Sequence, residues 1–198
     1  MMNGQQRRVS VLVGLVIFVG ACLSSALAQD NVRPGDLTIR KVTQQLRRAP
    51  DYGGTSTALG SQVSGANRPW LHIEVEFSSE LEWADEVLLK YYALVGEGRE
   101  ARLLTGDVVH VNVPKGTRRY SAMFLHPNTV QRFGKGKVEA IAVQLFYRGR
   151  LMDQTSEPPA RTRWWEQLTP TPGFLLRPSD TPWSVVAHER YEAYKASP

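Results

Sequence analysis

Apolar and polar residues alternate with a period of two along much of the chain. In "LHIEVEF", residues 71–77, every second side chain is apolar, and His72, Glu74 and Glu76 occupy the positions between. Successive side chains of a strand point to opposite faces of a sheet. The pattern therefore predicts a strand that is buried on one face and solvated on the other.

The same alternation recurs along the chain and predicts about seven strands. No long pattern with a period of 3.6 residues separates them, which argues against a βαβ architecture. The other segments with strand character are "DLTIRKVTQQ" from Asp36, "EVLLKYYALV" from Glu86, "VVHVNVP" from Val108, "RRYSAMFLHP" from Arg118 and "VEAIAVQLFY" from Val138.

Short turn sequences punctuate these strands. We predict that Gly96–Gly98 and Pro114–Gly116 each join two strands and that Arg148-Gly149 forms a tight hairpin. One short helical turn is predicted in "HPNTVQRFG", with Asn128 as its N-cap and Gly134 as its end.

The predicted fold is all-β: an immunoglobulin-like antiparallel β-sandwich of about seven strands. An extended C-terminal strap completes it, with a short terminal helix in "VVAHERYEAYK". The cysteine–tryptophan core of antibody domains is absent, so the likeness to immunoglobulin domains concerns architecture only.

The first 28 residues predict a secretory signal peptide. Arg7 and Arg8 precede an uncharged apolar run, which ends in Ala26-Leu27-Ala28. Cleavage after Ala28 directs the protein to the periplasm or the medium. Two alternatives stay open, an uncleaved membrane anchor and lipidation of Cys22, and only these would bring the protein into contact with a membrane.

The chain after the leader is predicted to have two parts. Residues 29–160 are predicted to form the sandwich domain, with a long loop at 49–69 that is rich in Gly, Ser, Thr and Asn and is either flexible or functional. Residues 161–198 form a strap rich in proline and tryptophan, and prolines keep such a backbone extended. The strap either packs on the sandwich or stays exposed to bind another protein. Its candidate interaction residues are Trp164, Trp165, Trp183 and Tyr191.

Charge and cysteine content narrow the function classes. The formal net charge of +5 becomes +3 when the leader, which carries Arg7 and Arg8 and no acid, is removed. The basic residues are scattered, so we expect no binding of nucleic acid. Cys22 is the only cysteine, so a protein cleaved after Ala28 has no disulfide and depends on an ordinary core.

The sequence contains no complete catalytic motif, and we predict that the protein is not an enzyme. Gly96–Ala101 fits a dinucleotide-binding pattern but is followed by a strand instead of the required helix. His188–Glu192 begins like a zinc-binding motif but lacks its second histidine. We therefore predict no catalytic, cofactor-binding or metal-binding residue and no cofactor.

Three features together resemble a known family. They are the signal peptide, the strand "RPWLHIEVEF" and the ending "PGFLLRPSDTPWSVVAHERYEAY", and the segment "FYRGRLMDQTSEP" fits as well. The chain resembles secreted immunoglobulin-like proteins encoded beside type IV pilus-assembly genes in bacteria of the Verrucomicrobia type. The resemblance implies a non-enzymatic exported protein of a pilus or secretion apparatus, whose partners are envelope or pilus-assembly proteins. It carries over no catalytic residue.

A carbohydrate-binding module is the alternative function. Many β-sandwiches present flat aromatic side chains on which sugars stack, and Trp164, Trp165, Trp183, Tyr91 and Tyr92 are available for this. No cluster of Asp and Asn that is typical of a calcium loop supports the alternative.

Cleavage can be tested directly on the exported protein. We expect N-terminal sequencing to find Gln29 as the first residue, because Ala26-Leu27-Ala28 supplies the small side chains that signal peptidase requires. Intact mass would reveal the alternatives, since a diacylated Cys22 or a retained leader each changes the mass in a distinct way.

Overall fold

The computed structural model describes residues 32–50 and 68–195. Its strands are β1 (Leu37–Arg47), β2 (Trp70–Val95), β3 (Arg102–Leu125), β4 (Ala140–Tyr147), β5 (Arg150–Glu157), β6 (Pro170–Pro172) and β7 (Leu175–Leu176), and its α-helix is α1 (Pro127–Gly134). Short 3-10 turns are formed by Gly98–Glu100, Trp164–Glu166, Pro178–Asp180 and Ala187–Glu189.

The seven strands form one sheet that folds over itself into two layers. The order is β5-β4-β2-β3-β6, while β1 also pairs with β2 and β7 with β3. β1 pairs with the first part of β2, Trp70–Ser79, and β4 pairs with the last part, Val87–Leu94. β1 and β5 meet where the layers close, and there the Ile39 amide donates to the Asp153 carboxylate at 2.7 Å. The predicted all-β sandwich is confirmed.

The core lies between the two layers. In residues 71–77 it takes the predicted apolar side of the strand. In residues 108–113 the predicted face is wrong, because His110 is buried while Val109 and Val111 are only partly buried. Tyr91 contributes the largest fully buried side chain, and its hydroxyl donates to Ser121 Oγ at 2.7 Å. Other fully buried members are Leu37, Ile73, Phe77, Leu89, Leu104, Met123, Leu125, Ile141 and Leu145.

Two of the predicted strand boundaries are wrong. Residues 70–95 form one strand and so do residues 102–125, so Pro114–Gly116 is not a turn. The β2–β3 register shifts between Phe77 and Trp83 instead, opposite residues 114–119. Such irregularities bend strands without ending them. This bend carries both strands from one layer into the other, and it accommodates a proline, which cannot donate to a regular ladder.

The tight turns and the helix agree better with the sequence. β2 ends at Val95 and β3 begins at Arg102, while Arg148 and Gly149 both have positive φ, 49° and 75°, between β4 and β5. The helix ends at Gly134 as predicted, but Asn128 is not its N-cap. His126 caps it and accepts from the Asn128 amide at 3.1 Å, because Pro127 occupies the first helical position.

The sheet and the C-terminal segment differ from the sequence predictions in two respects. The sheet is mixed and not purely antiparallel, because β6 runs parallel to β3. The terminal helix is reduced to the single 3-10 turn Ala187–Glu189, after which the chain extends along β3. The leader and most of the 49–69 loop lie outside the described residues, and the domain boundaries stay predictions.

Candidate interaction surfaces

The strap comprises residues 161–198 and is described to Lys195. It runs along the edge of β3 that does not pair with β2. β6 pairs with Leu103–Thr105, and β7 pairs with Phe124 and Leu125. Between them, the Val111 amide donates to the Ala193 carbonyl at 2.8 Å, and the Lys195 amide donates to the Val109 carbonyl at the same distance. An unpaired sheet edge invites pairing with other chains. The strap removes that opportunity along much of β3.

Trp183 anchors the second half of the strap. Its ring is buried and stacks on Phe124, with ring centroids 4.7 Å apart and an interplanar angle of 17°. The edge of Trp70 meets it at 5.7 Å. Thr181 fixes the approach, because its hydroxyl donates to the Pro178 carbonyl at 2.7 Å and accepts from the Trp183 amide at 3.3 Å. Trp183 therefore packs on the outer face of β3.

Trp164 and Trp165 anchor the first half of the strap elsewhere. Trp165 is buried against Leu103 and Ala142, and its ring lies 6.3 Å from that of Tyr92. Trp164 meets Trp165 edge to face at 5.5 Å and is half-buried. This pair covers the outer face of the other layer.

A polar cluster joins the strap to β2. Arg190 donates two hydrogen bonds to the Glu74 carboxylate, each 2.7 Å long, in the bidentate geometry that makes such pairs strong. Tyr191 donates to the same carboxylate at 3.3 Å. Burial by itself would raise the pKa of Glu74. The hydrogen bonds and charge of Arg190 outweigh burial, so this pKa lies below its ordinary value.

His72 lies at the bottom of this cluster and is fully buried. Its Nε2 is 2.9 Å from the Tyr191 hydroxyl, and its Nδ1 is 3.3 Å from the Gln45 side-chain amide. Burial and the nearby Arg47 cation lower the pKa of His72 to about 4, despite the opposing charge of Glu74. Burial also raises the pKa of Tyr191 to about 12. His72 is therefore neutral at pH 7.

A second buried histidine meets the end of the strap. His110 Nδ1 donates to the Glu192 carbonyl at 3.0 Å, and the Tyr194 ring packs edge-on at 6.3 Å. Burial lowers the pKa of His110 to about 4, although its hydrogen bonds to the backbone oppose the shift. Its Nε2 is buried with no hydrogen-bond partner in the described part of the chain, so a second proton there would have no acceptor.

The cluster of His72, Glu74 and Tyr191 has the residue types of an acid–base site but not its accessibility. Each group is hydrogen-bonded inside the protein, and His72 is out of reach of any substrate. Over residues 32–50 and 68–195, no three His, Cys, Asp or Glu side chains come together in a way that could hold a metal ion. The arrangement holds the strap to the sheet.

The structure divides the four candidate residues between two places. Trp164 and Trp165 lie over Leu103, and Trp183 and Tyr191 lie over β2 and β3 in the other layer. Both pairs face the sheet, so they form no common site. Their role in binding a partner stays a prediction.

The aromatic residues considered for sugar stacking are mostly enclosed. Tyr91 is fully buried in the core, and Trp165 and Trp183 each expose less than a tenth of their surface. Tyr92 is partly covered by Trp165 and donates to Gln144 at 2.8 Å. Of the five residues, Tyr92 and Trp164 keep part of their aromatic surface exposed.

Sequence reasoning missed two exposed features. Trp83 is 61% exposed at the bend of β2, opposite Pro114. Its surroundings, "SSELEWADE", are polar on both sides, a signal that this tryptophan does not belong to a buried strand face. The other feature is the outer edge of β1, where Leu46 is 55% exposed.

A groove of about 300 Å³ lies beside the end of β1. Leu46, Pro69, Pro127 and Val130 supply apolar walls, and Arg68 lies at its margin. The Arg68 guanidinium donates to the Asn128 side chain at 3.2 Å, so α1 and the start of β2 are tied together there. None of the helices in the described part has the length and apolar character that crossing a membrane requires.

Comparisons with known proteins find a matching family model and a solved structure of similar fold. A family model described as "-like" matches residues 28–198 of the chain. Among solved structures, a crystal structure of a protein from Akkermansia muciniphila matches with a TM-score of 0.68 and 23% identity, covering 82% of this chain and 94% of that one. No curated protein matches the chain. At this identity the structural match establishes the fold alone.

The comparisons support part of the resemblance drawn from the sequence. Family membership rests on the 28–198 match, and a similar fold occurs in Akkermansia, a member of the Verrucomicrobia. Linkage to pilus genes and the immunoglobulin-like classification stay predictions.

The packing of Trp183 predicts a large loss of stability on truncation. We expect Trp183→Ala to lower the free energy of unfolding by about 3–5 kcal/mol, the usual cost of removing a buried tryptophan side chain. Urea denaturation measures this. Trp83→Ala is the matched control, because that side chain is mostly exposed and its loss should cost less than about 0.5 kcal/mol. Equal, small effects of both substitutions would contradict the packing described above.

The two buried histidines predict acid sensitivity. Both have lowered pKa values near 4, so the unfolded chain binds their protons as pH falls through 6.5 while the folded chain does not. Stability is therefore complete above pH 6.5 and is lost progressively towards pH 4, by up to roughly 3 kcal/mol for each histidine. Protonation of Glu74 adds a further loss below its ordinary pKa of 4.5.

Urea denaturation across this pH range tests the assignment. His72→Gln should flatten the pH dependence, and the exposed His188→Gln should leave it as it is. An identical pH profile in all three proteins would show that His72 does not cause the effect.

Proposed function

We propose, from the premise that the chain belongs to the family whose model matches residues 28–198, that it is a non-enzymatic exported protein with a structural or interaction role. The observation that carries this proposal is that the polar cluster around His72 and Glu74 is bonded to the strap. All its groups hold the strap in place, so the residues that most resemble a reaction centre serve packing.

The sequence of the leader supports export. The positive start, the apolar run and Ala26-Leu27-Ala28 together favour a periplasmic or secreted location. The chain of Gln29 onward lacks cysteine, and the cohesion of the described sandwich comes from its apolar core and from the strap.

We further propose an association with a pilus or secretion apparatus, with envelope or pilus-assembly proteins as partners. The support is the resemblance of "RPWLHIEVEF" and of the strap to exported immunoglobulin-like proteins encoded beside type IV pilus genes, together with the similar fold from Akkermansia muciniphila. A sandwich with one strapped edge and one open edge is suited to binding other proteins, because strand addition needs an open edge.

The carbohydrate-binding alternative has weaker support, because Trp164 and Tyr92 are the stacking residues that keep part of their surface exposed. Its proposed stacking residues Tyr91, Trp165 and Trp183 are enclosed by the protein itself. Tryptophan fluorescence during titration with glycans remains the direct measurement of that alternative.

Cross-linking in living cells tests the proposed function. The full chain, carrying a C-terminal affinity tag and exported by its own leader, would be cross-linked before lysis and purified under denaturing conditions. We expect pilus-assembly or other envelope proteins to be enriched over a control in which an unrelated exported sandwich carries the same tag. Cross-links to cytoplasmic proteins alone, or a fluorescence response to glycans without any protein cross-link, would contradict the proposal.

A further inference from the structure

Among the described residues, the outer edge of β1 has no paired strand over seven consecutive residues. The described partner of β1 is β2, and their register is continuous from Lys41 to Arg47. Within the described residues, no backbone hydrogen bond joins this segment to anything except β2. At the usual rise per residue the open edge is about 20 Å long, which is enough for a strand of about six or seven residues to pair with it.

The other edges of the sheet are less suitable. The strap follows β3, and the start of β1 is closed by the hydrogen bond from the Ile39 amide to Asp153. β5 has a register shift in its middle, opposite Leu145 and Phe146, and bulged edges resist regular pairing. Residues 41–47 are therefore the regular open edge of the described sheet.

This edge carries positive charge and no negative charge. Residues 37–50 include Arg40, Lys41, Arg47 and Arg48 but neither Asp nor Glu. The two carboxylates across the ladder are already engaged, Glu74 by Arg190 and Glu76 by Arg118. None of the four cations has a carboxylate partner within the described residues. Arg40 donates to Ser78 Oγ at 3.1 Å, and Arg47 lies beside the Gln45 side chain. Lys41 and Arg48 are exposed and available to a ligand.

The same charge argues against a second copy of this chain as the occupant. Two β1 strands pairing with each other would bring cations together across the new ladder, and like charges placed opposite each other are destabilising. A strand with Asp or Glu in alternate positions would instead form cross-strand ion pairs. Charge complementarity therefore selects an acidic partner.

The groove beside Leu46 adds a place for an apolar side chain. It lies where the open edge ends, and its walls are Leu46, Pro69, Pro127 and Val130. Leu46 is more than half exposed, although it shares the face of β1 that Val42 buries in the core. A paired strand that continued past residue 46 would cover this apolar surface.

We propose that the β1 edge binds an extended acidic segment of a partner protein by strand addition, with an apolar side chain of that segment in the groove beside Leu46. Main-chain hydrogen bonds would supply affinity, and the cations and the groove would supply selectivity. This inference rests on the proposed interaction function and names its surface and the chemistry of its partner.

The test uses synthetic peptides and the exported full chain. The probe is a fluorescein-labelled decapeptide in which Glu alternates with Val and Thr before a final Leu. One control peptide replaces each Glu with Lys, and another keeps every Glu but replaces each Val and Thr with Pro, which removes backbone donors. Fluorescence anisotropy gives the affinities at low and high salt, and amide hydrogen exchange locates the bound peptide.

Two matched charge reversals accompany the peptides. Lys41→Glu with Arg48→Glu alters the open edge, and Arg99→Glu with Arg161→Glu changes the net charge equally at exposed positions elsewhere. We expect the first pair to weaken binding of the acidic peptide about tenfold, as the loss of two exposed ion pairs implies. The second pair should stay within about twofold of the unaltered protein, and exchange at residues 41–47 should slow only with the acidic Val/Thr peptide.

Each remaining result would overturn the inference. If the acidic peptide does not bind, the cations only protect the edge against pairing with other chains. If the proline peptide binds equally well, charge acts without strand pairing. A dimer with slowed exchange in β1 would make a second copy the occupant. Unchanged envelope cross-links in the Lys41→Glu/Arg48→Glu protein would refute this binding site but not the proposed interaction function. Loss of all cross-links in the unaltered protein would refute the function itself.

Discussion

The pairing of β2 with β3 is the constraint on which the rest of the structure depends. The two strands run antiparallel from Leu71 opposite Leu125 to Val95 opposite Arg102, and they cross from one layer of the sandwich to the other. Because both strands bend at the same irregularity, one hairpin belongs to both layers. β1 can then extend one layer and β4 and β5 the other, with a single core between them.

Crossing between layers leaves two outer faces to be covered, and the strap covers part of each. Trp165 packs on Leu103 in one layer, and Trp183 packs on Phe124 in the other. The polar outer residues of β2 become buried by the same means, since Arg190 and Tyr191 bring the hydrogen bonds that Glu74 and His72 require. A buried carboxylate without such partners would be costly, so these residues depend on each other.

The asymmetry of the edges links the fold to the proposed interaction role. Residues 170–195 follow the β3 edge, whereas among the described residues the outer edge of β1 is unpaired and basic from Lys41 to Arg47. Positive charge on an open edge discourages pairing between identical chains and allows pairing with an acidic one. One surface feature can thus serve both solubility and selection of a partner.

The sequence by itself determined most of the residues that form strands, and in residues 71–77 it determined which side chains enter the core. The alternation in residues 71–77, the turn at Arg148-Gly149 and the helix that ends at Gly134 are local signals, because side-chain period and backbone conformation depend on near neighbours. Local signals also marked the strap as extended and aromatic. They could not show that Pro114–Gly116 lies within a bent strand, because that depends on the register with Ser79 and Trp83.

Tertiary structure decided which polar strand faces are buried and which sheet edges are paired. His72 and Glu74 have the pattern of solvated strand residues, and only Arg190 and Tyr191, more than 100 positions away, bury them. The exposure of Leu46 and the unpaired outer edge of the described β1 likewise depend on which other segments pack beside β1. Burial and edge pairing are set by contacts between residues distant in sequence, so no local pattern along the chain could specify them.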